Sequence, residues 1–137
     1  MNDPPAMTQT MSRPLHVLVV EDEALLRWAL VETLTGAGHA VDQAGDGASA
    51  RRAMTDATSP IDAVLLDFRL PDSNDLTLLA DIRRLSPSTA VVMMTAHGTP
   101  ETLAGARALG VYDILAKPFD LRDVERVLLD ACRTRAS

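Results

Sequence analysis

Five polar residues in this chain close short, mainly apolar runs. Leu15-His16-Val17-Leu18-Val19-Val20 leads into Glu21-Asp22, Ala63-Val64-Leu65-Leu66 into Asp67, Ala90-Val91-Val92-Met93-Met94 into Thr95, and Val111 to Ala116 into Lys117. The run before Asp67 has no polar alternation, which suits a strand buried on both faces, as in a parallel sheet covered by helices. In open sheets of that kind, ligands bind beyond the carboxyl ends of the strands. If the four ends share one edge, three carboxylates crowd together there, and their mutual repulsion raises their pKa values. A divalent cation relieves that cost. A donor set of oxygens, without histidine or cysteine, favours Mg²⁺ or Mn²⁺ over zinc. On this reading Asp22 and Asp67 are direct ligands, Glu21 reaches the ion through water, and the backbone carbonyl of Arg69 supplies a further oxygen. An acid, a hydroxyl and a lysine around such an ion suit phosphoryl chemistry. Asp67 is then the nucleophile at phosphorus, giving an aspartyl-phosphate, while Lys117 contributes positive charge and Thr95 a hydroxyl donor. Catalysis of this type is positioning plus electrostatics. In that site context, Lys117-Pro118 is a candidate cis bond.

The elements that must position these groups follow from periodicity. Leu15 to Val20 predicts the first strand, and Ala24 to Thr35 a helix with Leu26, Leu30, Val31 and Leu34 on one face, ended by Gly36 and Gly38. His39 to Ala44 predicts a less apolar strand near an edge. Asp46 is the expected N-cap of a helix from Gly47 to Asp56. Ile61 to Leu66 is the third strand, Asp67 to Asn74 a loop, and Asp75 to Leu85 the third helix. Ala90 to Thr95 is the fourth strand. Thr99 caps a helix with Pro100 at its first position, and Gly110 ends it. Val111 to Ala116 is the fifth strand, and Asp120 caps a last helix over Leu121 to Arg133. Five strand–helix repeats with short, right-handed connections predict an α/β fold: a five-stranded parallel sheet of order 2-1-3-4-5, in a flavodoxin-like (βα)5 three-layer sandwich.

The 137 residues suffice for one domain with a core. Residues 1–13 read as a disordered leader, and 14–134 as the folded domain. Aromatic residues make up only 3%, so the core must be built from Leu, Val, Ala and Ile. A single cysteine, Cys132, excludes an intrachain disulfide and fits a reducing, cytoplasmic setting. No apolar run reaches the roughly 18 residues of a membrane span. The net charge of -6 argues against direct nucleic-acid binding and gives no basis for a membrane partner. His16 and His39 stand without company and are assigned no role. Trp28, on the first helix, is either a packed ring or a partner contact.

Four motifs together carry a resemblance: LVVEDE (Leu18–Glu23), LLDFRLP (Leu65–Pro71), MTAHG (Met94–Gly98) and KPF (Lys117–Phe119). In this order, each at a strand end, they resemble the receiver domain of bacterial two-component response regulators, over about Pro14 to Arg133. The resemblance implies a regulatory domain rather than an enzyme. It implies that the aspartate like Asp67 accepts phosphate from a sensor histidine kinase, that the acids like Glu21 and Asp22 hold Mg²⁺, and that the residues like Thr95 and Lys117 sense the phosphoryl group. Arg69 and His97, two positions past Asp67 and Thr95, are then expected to tune the lifetime of the aspartyl-phosphate. The face of helix 4, strand 5 and helix 5, with Arg107, Asp113, Asp120 and Arg122, is expected to serve a homodimer or an output contact. The wording MTAHGTPE and LPDSNDL is similar to receivers of enhancer-dependent, NtrC-type transcription activators. Such receivers precede ATPase and DNA-binding output domains, which are expected to be absent from this chain.

Three positions depart from that family's pattern. Ile114 stands where many receivers have a mobile aromatic, with Tyr112 on the same face if the strand is regular. Asn74-Asp75 replaces the usual Asp/Asn-Gly, so either the turn there is not left-handed or the third helix starts differently. Glu21 stands in place of the commoner Asp. Two other functions compete. One is a phosphate-independent interaction module, for which Ile114 and Asp75 leave room. The other is a Mg²⁺-dependent phosphohydrolase with an aspartate nucleophile, which needs a second acid where this chain has Arg69.

Overall fold

Short strands and helices in alternation can bury their apolar faces only by layering helices on a sheet. The computed structural model describes residues 14–73 and 75–136; the expected leader over 1–13 and Asn74 lie outside the described residues. Along the chain run β1 (His16–Val20), α1 (Ala24–Gly36), β2 (Ala40–Ala44), α2 (Gly47–Asp56), β3 (Ala63–Asp67), α3 (Thr77–Leu85), β4 (Ala90–Thr95), α4 (Pro100–Ala108), β5 (Asp113–Ala116) and α5 (Leu121–Ala136). The strands are parallel in the order β2-β1-β3-β4-β5, the flavodoxin-like arrangement expected.

The unbroken apolar runs resolve into two alternating sets. Val17, Val19, Ala63, Leu65, Val92 and Met94 face one side, where they meet Leu30 and Leu34 of α1 and Val124, Leu128 and Ala131 of α5. Leu18, Val20, Val64, Leu66, Val91 and Met93 face the other, against Ala50 of α2, Leu78, Leu79 and Ile82 of α3 and Ala106 of α4. Both faces of β1, β3 and β4 are therefore dry, and full burial of each Val, Leu or Met side chain contributes about 1.5–3 kcal/mol. The edge strands β2 and β5 carry the exposed and half-buried positions.

Caps fix where the helices begin. The carboxylate of Glu23 accepts from the Leu26 N–H at α1, Asp46 from Ser49 at α2, Thr99 from Thr102 at α4, and Asp120 from Arg122 at α5. Gly38 and Gly110 take φ values of 97° and 92° just beyond α1 and α4, where a side chain would strain the backbone. Five starts differ from expectation: β1 and β2 begin one residue later, at His16 and Ala40, β3 begins at Ala63 rather than Ile61, and α3 and β5 are also delayed by two. The α3 helix begins at Thr77 rather than Asp75, because the Asp75 carboxylate accepts from the Thr77 N–H and so stands outside the helix. The β5 strand begins at Asp113 rather than Val111, because the Val111 N–H still donates to Ala106 at the end of α4. Tyr112 thus precedes the strand and is exposed. The α5 helix runs on to Ala136, past the expected Arg133.

The two histidines given no role tie down the edge of the sheet opposite the carboxyl ends. His39 is buried; its Nδ1 accepts from the Leu15 N–H, so Nε2 carries the proton and donates to Glu125 on α5. His16 faces two acceptors, the Pro60 carbonyl at Nδ1 and the Asp42 carboxylate at Nε2. Burial opposes its protonation, but the hydrogen bonds to Asp42 and Pro60 outweigh it and hold the pKa above the usual value.

Candidate functional site

The register of the sheet brings the polar strand ends level. Val20 pairs with Leu66, Asp67 with Met94 and Thr95 with Ala116, so Glu21, Asp67, Thr95 and Lys117 all stand at the carboxyl edge. The backbone continues the ladder beyond the strands: the N–H of Phe68 donates to Met94 and that of Lys117 to Thr95. Oxygens of Glu21, Asp22 and Asp67 lie within 4.8 Å of one another; Glu21 and Asp67 are buried and Asp22 is exposed. The Lys117 ammonium stands 2.7 Å from Glu21 Oε1 and 3.3 Å from Asp67 Oδ1. The Lys117-Pro118 bond that turns the chain back after this lysine is cis.

One ammonium does not balance three carboxylates. Burial and the neighbouring charge of Glu21 push the Asp67 carboxyl up to about 7, against the opposing pull of Lys117. The lysine responds in the other sense. Burial lowers its pKa, but the Glu21 hydrogen bond and the Asp67 charge exceed that and hold it above its ordinary value. The excess negative charge and the all-oxygen donor set fit a hard divalent cation such as Mg²⁺. Glu21 has both oxygens engaged, Oε1 by Lys117 and Oε2 by the Glu23 N–H, which fits contact at one remove from an ion. The exposed Asp22 carboxylate is free to ligate directly. When bound, the ion supplies positive charge to a developing phosphoryl group.

The other expected residues are placed as follows. Thr95 is buried at the end of β4, and its hydroxyl oxygen accepts from the His97 N–H at 3.3 Å. The Arg69 N–H lies 3.4 Å from Asp67 Oδ1, with its side chain exposed. The His97 side chain is exposed as well. Ile114 is half-buried in β5 and packs on the core beneath α2, α3 and α4. On the expected contact face, Asp120 and Arg122 pair with each other at 2.8 Å, and Asp113 accepts from the Ile114 N–H. The sequence reading missed Arg27. Its guanidinium donates to the Glu21 carbonyl at 2.8 Å and to Gln43 at 3.1 Å, clamping the β1–α1 loop that carries the acids. An arginine on the inward stripe of α1, between Leu26 and Leu30, was the available signal.

Comparison with known proteins settles the family. Residues 17–129 match the family described as the response regulator receiver domain. The chain belongs to the response regulator receiver family. The chain is 35% identical over 116 residues to the DNA-binding transcriptional regulator NtrC of Escherichia coli K12, covering 82% of this chain and 24% of that protein. It thus spans about a quarter of the length of that curated relative. NtrX from Brucella abortus superposes with a TM-score of 0.80 at 34% identity, over 90% of this chain and 28% of the other. A chain of the CheX–CheY–BeF3–Mg²⁺ complex from Borrelia burgdorferi gives 0.78 at 26% identity, over 85% and 88%. This receiver therefore presents an acidic cluster positioned for Mg²⁺ and phosphoaspartate chemistry, as in phosphorelay signalling, and its role is regulatory rather than that of a turnover enzyme. Among the described residues, no helix is long and apolar enough to cross a membrane.

Proposed function

We propose that this receiver, spanning residues 14–134, is a cytoplasmic phosphorylation switch in which Asp67 is the phosphoacceptor. An Asp67 carboxylate oxygen attacks the phosphorus of a kinase phosphohistidine; the P–N bond breaks, the new P–O bond forms, and the imidazole leaves with the electron pair. The convergence of Glu21, Asp22 and Asp67 within 4.8 Å, with Lys117 at 2.7 and 3.3 Å, carries this reading. Asp22, Asp67 and the Arg69 carbonyl would hold Mg²⁺, with Glu21 acting through water, and Mn²⁺ would substitute. Lys117 and Thr95 contact the phosphoryl oxygens, while Arg69 and His97 set how long the phosphoaspartate lasts. The hydroxyl of Thr95 moves towards the phosphoryl group, biasing a two-state equilibrium read on the α4–β5–α5 face, by a homodimer or by output domains. The relation to the DNA-binding transcriptional regulator NtrC supports DNA binding in transcription control as that output, and ATPase and DNA-binding output domains are what the resemblance to NtrC-type activators implies.

A phosphate-independent interaction module remains the second reading, favoured by one observation: Ile114 offers no ring to follow Thr95 inward. Intact mass after incubation with acetyl phosphate and Mg²⁺ separates the two. A single phosphoryl adduct, absent in Asp67→Asn, is the expected result. An unmodified mass with an unchanged oligomeric state would leave the module standing instead.

A further inference from the structure

The β3–α3 connection opens with Phe68 to Ser73, where the Arg69 N–H lies 3.4 Å from Asp67 Oδ1 and the Arg69 carbonyl is a proposed Mg²⁺ ligand. At its base the Phe68 N–H is tied to Met94. Its middle is a tight turn, in which Leu70 and Ser73 exchange backbone hydrogen bonds of 2.8 and 3.2 Å around Pro71-Asp72. Leu70 drops into the core, which sets the depth of the loop but not its direction. Asp72 supplies the direction. Its Oδ1 accepts from the Gly47 N–H at 2.7 Å and its Oδ2 from the Ala48 N–H at 3.1 Å, in the first turn of α2.

This contact exceeds what α2 needs for its own start. Asp46 already caps that helix through the Ser49 N–H. The second carboxylate comes from far along the chain, and the helix end is shaped to receive it. A Cβ on Gly47 would stand 3.1 Å from Asp72 Oδ1 and 3.3 Å from Arg51 Nη1, tighter than an ordinary contact, so the helix start is closely fitted around the carboxylate. Those same N–H groups hold the Asp72 carboxyl below its usual pKa, which keeps it ionised as an acceptor. We infer that Asp72 is a positioning residue for the metal-binding loop: by anchoring the turn to the end of α2, it fixes where the Arg69 carbonyl stands relative to Asp67 and Asp22. The inference rests on the proposed Mg²⁺ site.

Calorimetric titration with MgCl₂, alongside urea unfolding, tests it. Asp72→Ala weakens Mg²⁺ affinity about tenfold, the scale of a lost supporting contact, whereas Asp46→Ala leaves affinity within about twofold. Stability moves differently: Asp46→Ala, which removes the helix's own cap, lowers the midpoint while affinity holds. A merely structural role would make affinity follow stability. Parental affinity in a folded Asp72→Ala protein overturns the inference while leaving the Mg²⁺ site intact. A parent that neither binds Mg²⁺ nor forms the acetyl phosphate adduct removes the site itself, and the inference with it.

Discussion

Asp67 shows how a functional group can be costly to the fold that holds it. Its carboxyl is buried, faces Glu21, and is pushed up to about 7, so the ionised form is held at a cost. Asp67→Asn removes that charge and leaves Lys117 paired with Glu21. In metal-free buffer near pH 8 it should raise stability by about 1–3 kcal/mol, a gain that saturating Mg²⁺ cancels; chemical denaturation with EDTA and with MgCl₂ checks both halves. His16 behaves oppositely. Its folded pKa lies above the usual value, so the stability it contributes is full below the unfolded pKa and is lost as pH rises through the folded one. Between pH 6 and 9 the parent should lose up to about 1 kcal/mol relative to His16→Gln, the scale of a partly exposed pair. Urea midpoints across that range, compared between the two proteins, provide the check; parallel curves would refute it.

At the level of elements, the ends of β1, β3 and β4 were legible because a doubly buried strand forbids polar interruptions. The first polar residue therefore marks the edge. Helix starts were legible where a side chain caps them, as at Asp46 and Thr99, and misplaced where a carboxylate pulled the start onward, as at Asp75. Ties between distant elements left no periodic signal. His39 joins β1, β2 and α5 through the Leu15 N–H and Glu125. His39→Ala strands a buried N–H and should destabilise by about 1–3 kcal/mol. His39→Asn, which keeps an acceptor near the same height as Nδ1, should recover part of the loss. Equal midpoints for the parent and the alanine variant would show that the tie contributes nothing.

Across the whole molecule, the sheet separates support from chemistry. Histidine contacts and apolar packing secure one edge, while the other gathers three acids about one lysine. A ligand that binds only the folded state stabilises all of it, so Mg²⁺ at 100 times its dissociation constant should raise the unfolding free energy by about 2.7 kcal/mol. The shift should be absent in Asp67→Asn and present in Cys132→Ser, whose thiol lies far along α5; thermal melts at several MgCl₂ concentrations read it directly. A shift that survives in Asp67→Asn would place the ion elsewhere.

The amino-acid sequence by itself determined the layered α/β fold and pointed to the strand order, which the structure bears out, and to the edge at which Glu21, Asp22, Asp67, Thr95 and Lys117 gather. Burial on two faces and capping at helix starts are local rules, written in neighbouring residues. Only the tertiary structure decided that Lys117 reaches Glu21 as well as Asp67, that Arg27 clamps the acid loop, and that Asp72 sits on the first turn of α2. Those contacts join residues distant in the chain, and a directional hydrogen bond between distant groups exists only once packing has set their separation to within a few tenths of an ångström.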